Sequence, residues 1–306
     1  MSPPPSQCAA SRNTNGGFVL VAVLWMVAAL ATLASIYSVY ATNAAAGVRV
    51  GDDRLQAELS IRAGVELAAY QLLAFPEPAQ PTHGHFAVAV GRNRVAVAYR
   101  TETARIDLNA APKALLVGLF RAVGAGDSAA QAYAERVVGW RTKVDPNADN
   151  PEERVYASAG LAYRPRQAPF EDTLELALVF GLPQPIVERV LPLVTVFSGQ
   201  ARVDVASSDP MTLAALPGMT PDVLHAALKA REKTPDDGRA LLSLLGPARD
   251  HATADPSKSM RATIHVDLDD GRRIAAEVVF RLRDGGDEPF DILYWRDDID
   301  GPWQAS

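Results

Sequence analysis

"NTNGGFVLVAVLWMVAAL" occupies residues 13–30, and how it is read decides the fold. A polar lead ends in Gly16-Gly17 and passes abruptly into an uncharged apolar run. No charged residue stands between Arg12 and Arg49. The densest part, Phe18 to Tyr40, is long enough as a helix to cross a hydrocarbon core of about 30 Å. Three readings compete: a discarded signal, a permanent anchor, or a helix cut at its own border and kept. A secretory signal has an apolar core of only about 7–15 residues, although Ala44-Ala45-Ala46 offers that reading a small-residue cut. Charge barely orients the segment, since Arg12 lies on one side and Arg49 and Arg54 on the other. Translocation of the long C-terminal part favours an inside N-terminus.

With 306 residues the chain has room for one large domain or two modest ones. A pI of about 5.4 and a net charge of −6 argue against nucleic acid as the main partner, because phosphate affinity rests on excess Lys and Arg. The single cysteine, Cys8, precedes the apolar run, so the remainder has no disulfide, thiolate metal cage or cysteine nucleophile.

Helical patterning continues past the membrane-length run. Leu55, Leu59, Ala63, Leu67 and Tyr70 share one stripe, and Arg54, Glu58, Arg62 and Glu66 form another at ion-pair spacing. The helix is expected to reach Leu73, with Gly47 and Gly51 as points of bending, before "FPEPAQP" at 75–81 breaks it. Alternating "HFAVAV" and "RVAVAYRTE" predict a hairpin around Gly91-Arg92-Asn93. "ARIDLNAAPKALLVGLF" turns from strand to helix, with Asn109 as the expected cap and Pro112 in the first turn. Helical patterns then dominate to about residue 246, and "ATIHVDL", "RIAAEVVFRLR" and "PFDILYW" return to strands. "IDLNAAPKALLVGL" at 106 and "VDVASSDPMTLAALPG" at 203 form an internal repeat of strand, polar turn, Pro and Leu.

The Gly17-Phe18 border resembles the processing site of type IV pilin-like proteins, whose prepilin peptidase cuts after a glycine and leaves the apolar helix in place. Those proteins usually carry glutamate at the fifth mature position, where this chain has Ala22. An intramembrane carboxylate persists where it has a partner, in this case the terminal amine of the subunit ahead. Its loss resembles one branch, the minor pseudopilin K of type II secretion systems, and the internal repeat resembles that family's paired helical modules. The resemblance implies an α+β fold, in which a long N-terminal hydrophobic helix precedes a pilin-like antiparallel sheet. A large helical insertion, similar to a sterile alpha motif or helix–hairpin–helix, interrupts that sheet. The implied organisation is a leader at 1–17, the transmembrane part of the helix at 18–45, and the rest of the helix with the first strands at 46–105. The insertion with two related modules then covers 106–259, and the closing strands 260–306. It further implies processing between Gly17 and Phe18 by prepilin peptidase, and a single pass through inner-membrane lipid with a cytoplasmic N-terminus and a periplasmic head. The implied partners are minor pseudopilins I, J and H, at the tip of a short pseudopilus.

"LAALPGMTPDVLHAALKARE" from Leu213 reads as a helix–hairpin–helix, the module of a membrane-tethered competence-type DNA receptor. Here Pro221 removes an amide donor and Asp222 adds negative charge where phosphate would sit. "DPNADNPEE" at 145–153 opens like a calcium loop, with Asp145, Asn147 and Asp149 at alternate positions and Glu153 as a further donor. It then departs from that pattern, with Asn150 in place of Gly and Tyr156 in place of the bidentate Glu. A solvated polar loop explains the same residues. Pseudopilin K binds calcium through acidic residues in its insertion, so the resemblance adds calcium as the one cofactor to consider. Gly139 and Thr142 nevertheless replace family acids beside Trp140. His83, His85, His225, His251 and His265 nominate no metal triad. With no nucleophile elbow, phosphate loop or zinc-protease helix, no enzyme is expected.

Overall fold

Uncharged and rich in Ala, Leu and Val, the opening run offers nothing to stop a helix, and α1 extends from Gly16 to Leu73. It runs through Gly47 and Gly51 without a break in the assignment and ends just ahead of Pro76. The computed structural model describes residues 16–76, 80–145, 149–234, 237–255, 257–283, 285 and 288–297. It divides into two units, 1–58 and 59–306. In the first, Val19–Tyr40 form a segment of mean hydropathy 2.5 with no residue buried, long and apolar enough to cross a membrane.

In the second unit the last turns of α1 lie on a five-stranded sheet built from β1 (His83–Val90), β2 (Asn93–Thr101), β7 (Ser259–Asp267), β8 (Arg273–Leu282) and β9 (Phe290–Asp297), in that spatial order. Every neighbouring pair is antiparallel. The turn between β1 and β2 uses Gly91 at φ +61°, a left-handed conformation that side chains disfavour. Alternation sorts the faces: Val95, Val97, Ala262, Ile264, Val266, Ala276 and Val278 are buried, as are Ile61, Val65, Ala68 and Leu72 of the helix. Gly64 permits the approach, since a Cβ there would lie 3.1 Å from Val97 Cγ2 and 3.2 Å from Val95 Cγ1. Asn93 Nδ2 donates to Ser60 Oγ at 3.0 Å and ties the start of β2 to the helix.

The chain leaves this sheet after Thr101 and re-enters it at Ser259. The excursion is helical: α2 (Lys113–Ala122), α3 (Asp127–Arg141), α4 (Pro151–Ser158), α5 (Gln184–Val190), α6 (Pro210–Ala214), α7 (Pro221–Lys233) and α8 (Gly238–Leu244). The α+β fold, with a helical insertion interrupting an antiparallel sheet, is therefore as the sequence implied. Four two-residue strands organise the insertion. β3 (Ile106–Asp107) pairs in parallel with β4 (Val194–Thr195), and β5 (Val203–Asp204) with β6 (Ala252–Thr253).

These ladders show what the internal repeat does. Leu108 N donates to Thr195 O at 2.8 Å, and Val205 N to Thr253 O at 3.0 Å. Thr195 Oγ1 accepts from Phe197 N, and Thr253 Oγ1 from Asp255 N. Asp107 and Asp204, at equivalent places, both fold buried carboxylates over the turn that follows. Arg141 donates to Leu108 O and Ala111 O, and Arg231 to Ser208 O, each sealing its turn from a following helix. Each module is thus a helical excursion clipped at its neck by a parallel strand pair. The modules meet where α2 crosses α6, and a Cβ on Gly118 would stand only 1.8 Å from the Ala215 carbonyl oxygen. One apolar cluster, including Leu116, Phe120, Trp140, Tyr156, Leu213 and Leu241, runs through both.

One local expectation is corrected. Asn109 does not cap α2, whose cap position is Pro112 with no side-chain bond. Its amide instead bridges to Phe170, donating to the carbonyl oxygen at 2.9 Å and accepting from the backbone N–H at 2.7 Å. The turn it was expected to cap is already held by Asp107, which accepts from Asn109 N and Ala110 N at 2.7 and 3.1 Å.

Candidate functional site

Gly17 and Phe18 lie in the first turn of α1. Beyond them the functional material of the first unit is its bare apolar surface: Leu20, Leu24, Trp25, Met26, Leu30, Leu33 and Ile36 are all exposed. In water such a stripe is untenable, and lipid or neighbouring helices must cover it.

In the second unit a groove of about 790 Å³ runs along the last turns of α1 and the start of edge strand β9. Leu67, Tyr70, Leu73, Phe290 and Ile292 line it, with Tyr70 74% exposed.

A second feature was not singled out in the sequence. Where the sheet hands the chain to the insertion, Glu102 is fully buried, and Arg261 of β7 grips it with Nε at 2.7 Å and Nη2 at 3.2 Å. Arg261 Nη1 also donates to Glu277 of β8 at 2.5 Å, and Thr195 Oγ1 donates to Glu102 from the neck of the first module. Burial disfavours the charged form of Arg261, but Glu102 and Glu277 together outweigh it and raise its pKa. Arg105, next to this pair, receives only the field of those carboxylates. Burial and the Arg261 charge bring it down to about 10, so it remains charged at neutral pH. Two clefts, of about 310 and 300 Å³, flank the cluster, and Arg105, Arg261 and Glu277 line both. The residues of this cluster are scattered over 175 positions of sequence, from Glu102 to Glu277, so no spacing rule finds them.

Of the calcium-loop residues, Asp149 and Glu153 turn to separate arginines. Asn147 lies outside the described residues. Asp149 pairs with Arg154 at 2.9 Å, and Glu153 with Arg164 at 2.7 Å. Asn150, anomalous for a calcium loop, is the N-cap of α4, accepting from Glu152 N and Glu153 N. Tyr156, where a bidentate glutamate would be needed, is fully buried and donates its role to packing against Trp140 and Phe180. Beside Trp140, Glu152 occupies the space over Gly139 and pairs with Arg136 at 2.7 Å. Among the described residues no group of three or more His, Cys, Asp or Glu is placed to hold a metal ion. Arginine guanidinium groups serve as the counterions of Asp149 and Glu153.

The hairpin between α6 and α7 is equally committed to the protein. Met219 N bonds Leu216 O at 3.0 Å, and Gly218, at φ +83°, sits against Pro247. The nearby cations are spoken for, Lys113 by Glu135 and Arg121 by Asp127. Nothing in this geometry favours phosphate binding.

Against known proteins, residues 95–199 match a family model described as type II secretion system (T2SS), protein K. That span runs from β2 through the whole first module to just past β4. No curated protein matches the chain. A solved chain from the crystal structure of the GspK-GspI-GspJ complex from the enterotoxigenic Escherichia coli type 2 secretion system matches with a TM-score of 0.59. The match covers 81% of this chain and 98% of that one at 15% sequence identity, and it shows a common fold. An apolar N-terminal helix, which fits single-pass membrane anchoring, precedes an antiparallel sheet opened by a helical insertion. Residues 95–199 are thus similar to the type II secretion system protein K family, and the whole chain shares a fold with the solved chain.

Proposed function

We propose that this chain is a minor pseudopilin that sits at the tip of a type II secretion pseudopilus, where it caps or initiates the filament that exports folded periplasmic proteins. It is inserted in the inner membrane with its N-terminus in the cytoplasm and its head in the periplasm. Prepilin peptidase removes residues 1–17, and Phe18 becomes the first residue of the mature helix. Ala22 supports the tip position, since a leading subunit has no amine ahead of it that needs a glutamate. The partners are minor pseudopilins I and J, which share the complex of the structural neighbour, together with H. The role is assembly and not catalysis. Any calcium bound at the 145–153 loop would have to displace the arginine partners of Asp149 and Glu153.

The observation that carries the reading is the protein K family match centred on the first clipped module, in a chain whose membrane-length helix is wholly uncovered. Intact mass of the membrane-extracted chain, with and without a prepilin peptidase, tests it. The mass should fall by that of residues 1–17 only when the peptidase is present. An unchanged mass in both, or a cut near Ala46, removes the reading. Nothing in the structure supports the DNA-receptor alternative, and salt-sensitive micromolar binding of duplex DNA by the full chain would revive it.

A further inference from the structure

The cleft of about 310 Å³ on the outer face of the sheet carries an excess of positive charge. Its wall holds Arg100, Arg105 and Arg261 against Glu102 and Glu277. Arg261 takes both carboxylates, through Nε and Nη2 to Glu102 and Nη1 to Glu277. Among the described residues, the Arg105 guanidinium has neither a hydrogen bond nor an ion pair, and neither has that of Arg100. A largely buried cation in this state is costly unless an anion completes it. Arg100 repels both Arg105 and Arg231, and Arg261 repels Arg105, which sets the local field against leaving the cleft empty of negative charge.

We propose that this cleft receives a carboxylate carried by an acidic segment of a partner protein, with Arg105 and Arg100 as the groups that bind it. The charge count favours a monoanion, because three arginines face two glutamates and a dianionic phosphate would meet Glu102 and Glu277 at close range. The wall is also too polar for a small organic acid. Charged and polar side chains surround Ala98 and Tyr99, whereas small-molecule sites are mostly apolar. A free monocarboxylate would have to offset the whole loss of its translational freedom with one charge contact, while a carboxylate presented by a protein shares that cost with the rest of an interface. The inference rests on the geometry of the sheet and not on the family assignment.

The test uses the full chain in detergent micelles, labelled with ¹⁵N-arginine, with the Nε–H resonances of Arg100 and Arg105 assigned through Arg100→Lys and Arg105→Lys. It is titrated with a capped tetraglutamate peptide, the corresponding tetraglutamine peptide, sodium acetate and inorganic phosphate at matched ionic strength. The Arg105 resonance should move saturably with the glutamate peptide, at a midpoint about tenfold or more below that of acetate. The glutamine peptide should leave it in place, and phosphate should bind no more tightly than acetate. No saturable movement with the glutamate peptide, an equal response to the glutamine peptide, an acetate midpoint equal to the peptide's, or tighter phosphate binding would each overturn the proposal. Arg105→Met, compared by circular dichroism with the parent, should weaken the Arg100 response to the peptide about tenfold. The parent titration stands by itself should that variant fail to fold.

Discussion

Arg261 holds Glu102 through two N–H···O contacts, at 2.7 and 3.2 Å, across 159 residues of sequence and at full burial of the carboxylate. This pair closes the gap that the helical insertion opens in the sheet. Glu102 begins the excursion, Arg261 stands in the strand that ends it, and Thr195 reaches Glu102 from the first module's neck. Removing one partner strands a buried charge. Arg261→Met and Glu102→Leu should each cost about 3–5 kcal/mol, while the double variant should cost less than the sum of the two, Glu277 still having lost Arg261. Arg105→Met should cost far less than Arg261→Met, because Arg105 has no direct carboxylate contact to lose. Urea unfolding of the full chain in micelles, followed at the tryptophans, measures all four.

Packing of the two modules gives a sharp steric test. Gly118→Ala would drive a Cβ into the backbone oxygen of Ala215, which cannot rotate away, and should destabilise by about 1–3 kcal/mol. Gly139→Ala meets only the far end of Glu152, at 2.8 Å from Cδ, and gains helix propensity. It should lie within about 1 kcal/mol of the parent, since a flexible carboxylate can swing aside. Thermal melting of the pair compares them directly.

Asp204 provides a pH signature. Burial raises its pKa above the usual carboxylate value of 3.8, against the opposing bonds from Ser207 and Ala206 and the charge of His83. Between the unfolded and folded pKa the native state holds the proton that the unfolded chain has released. Stability from this group is therefore full below 3.8 and declines as pH rises through the folded pKa. Asp204→Asn removes that titration while keeping an oxygen for Ser207 N. Relative to the parent, the variant should fare better at pH 7 than at pH 3.5. A parent-minus-variant difference independent of pH would refute the assignment.

Calcium separates two views of the 145–153 loop. A site saturated at a thousand times its dissociation constant would raise stability by about 4 kcal/mol. With Asp149 and Glu153 held by Arg154 and Arg164, millimolar calcium should instead leave the unfolding midpoint where chelator leaves it. A calcium-specific rise in that midpoint would show that the arginine pairs yield to the ion.

Much was legible from local pattern. The apolar run, the break after Leu73, the β1–β2 hairpin and the closing strands all follow from periodicity and from proline and glycine, which act over a few residues. The repeat at 106 and 203 was visible as a motif, but its purpose was not. Nothing in the motif marked out Asp107 and Asp204, and only the fold shows each fastening a neck closed by a strand about fifty to ninety positions later. The same limit explains Asn109, which looks like a cap until Phe170 is brought beside it.

What the sequence determined by itself is the opening segment. An apolar run with no charge between Arg12 and Arg49 must seek lipid or other helices whatever the head does, because hydrophobic transfer depends on composition and length. The tertiary structure alone decided how the charges of the head are disposed. Ionic pairing is set by distance in space and by burial, and neither has a period along the chain. Arginines therefore took the carboxylates where a calcium loop had been in prospect, and Arg261 took Glu102 and Glu277. Arg105 was left facing an open cleft with its charge unanswered.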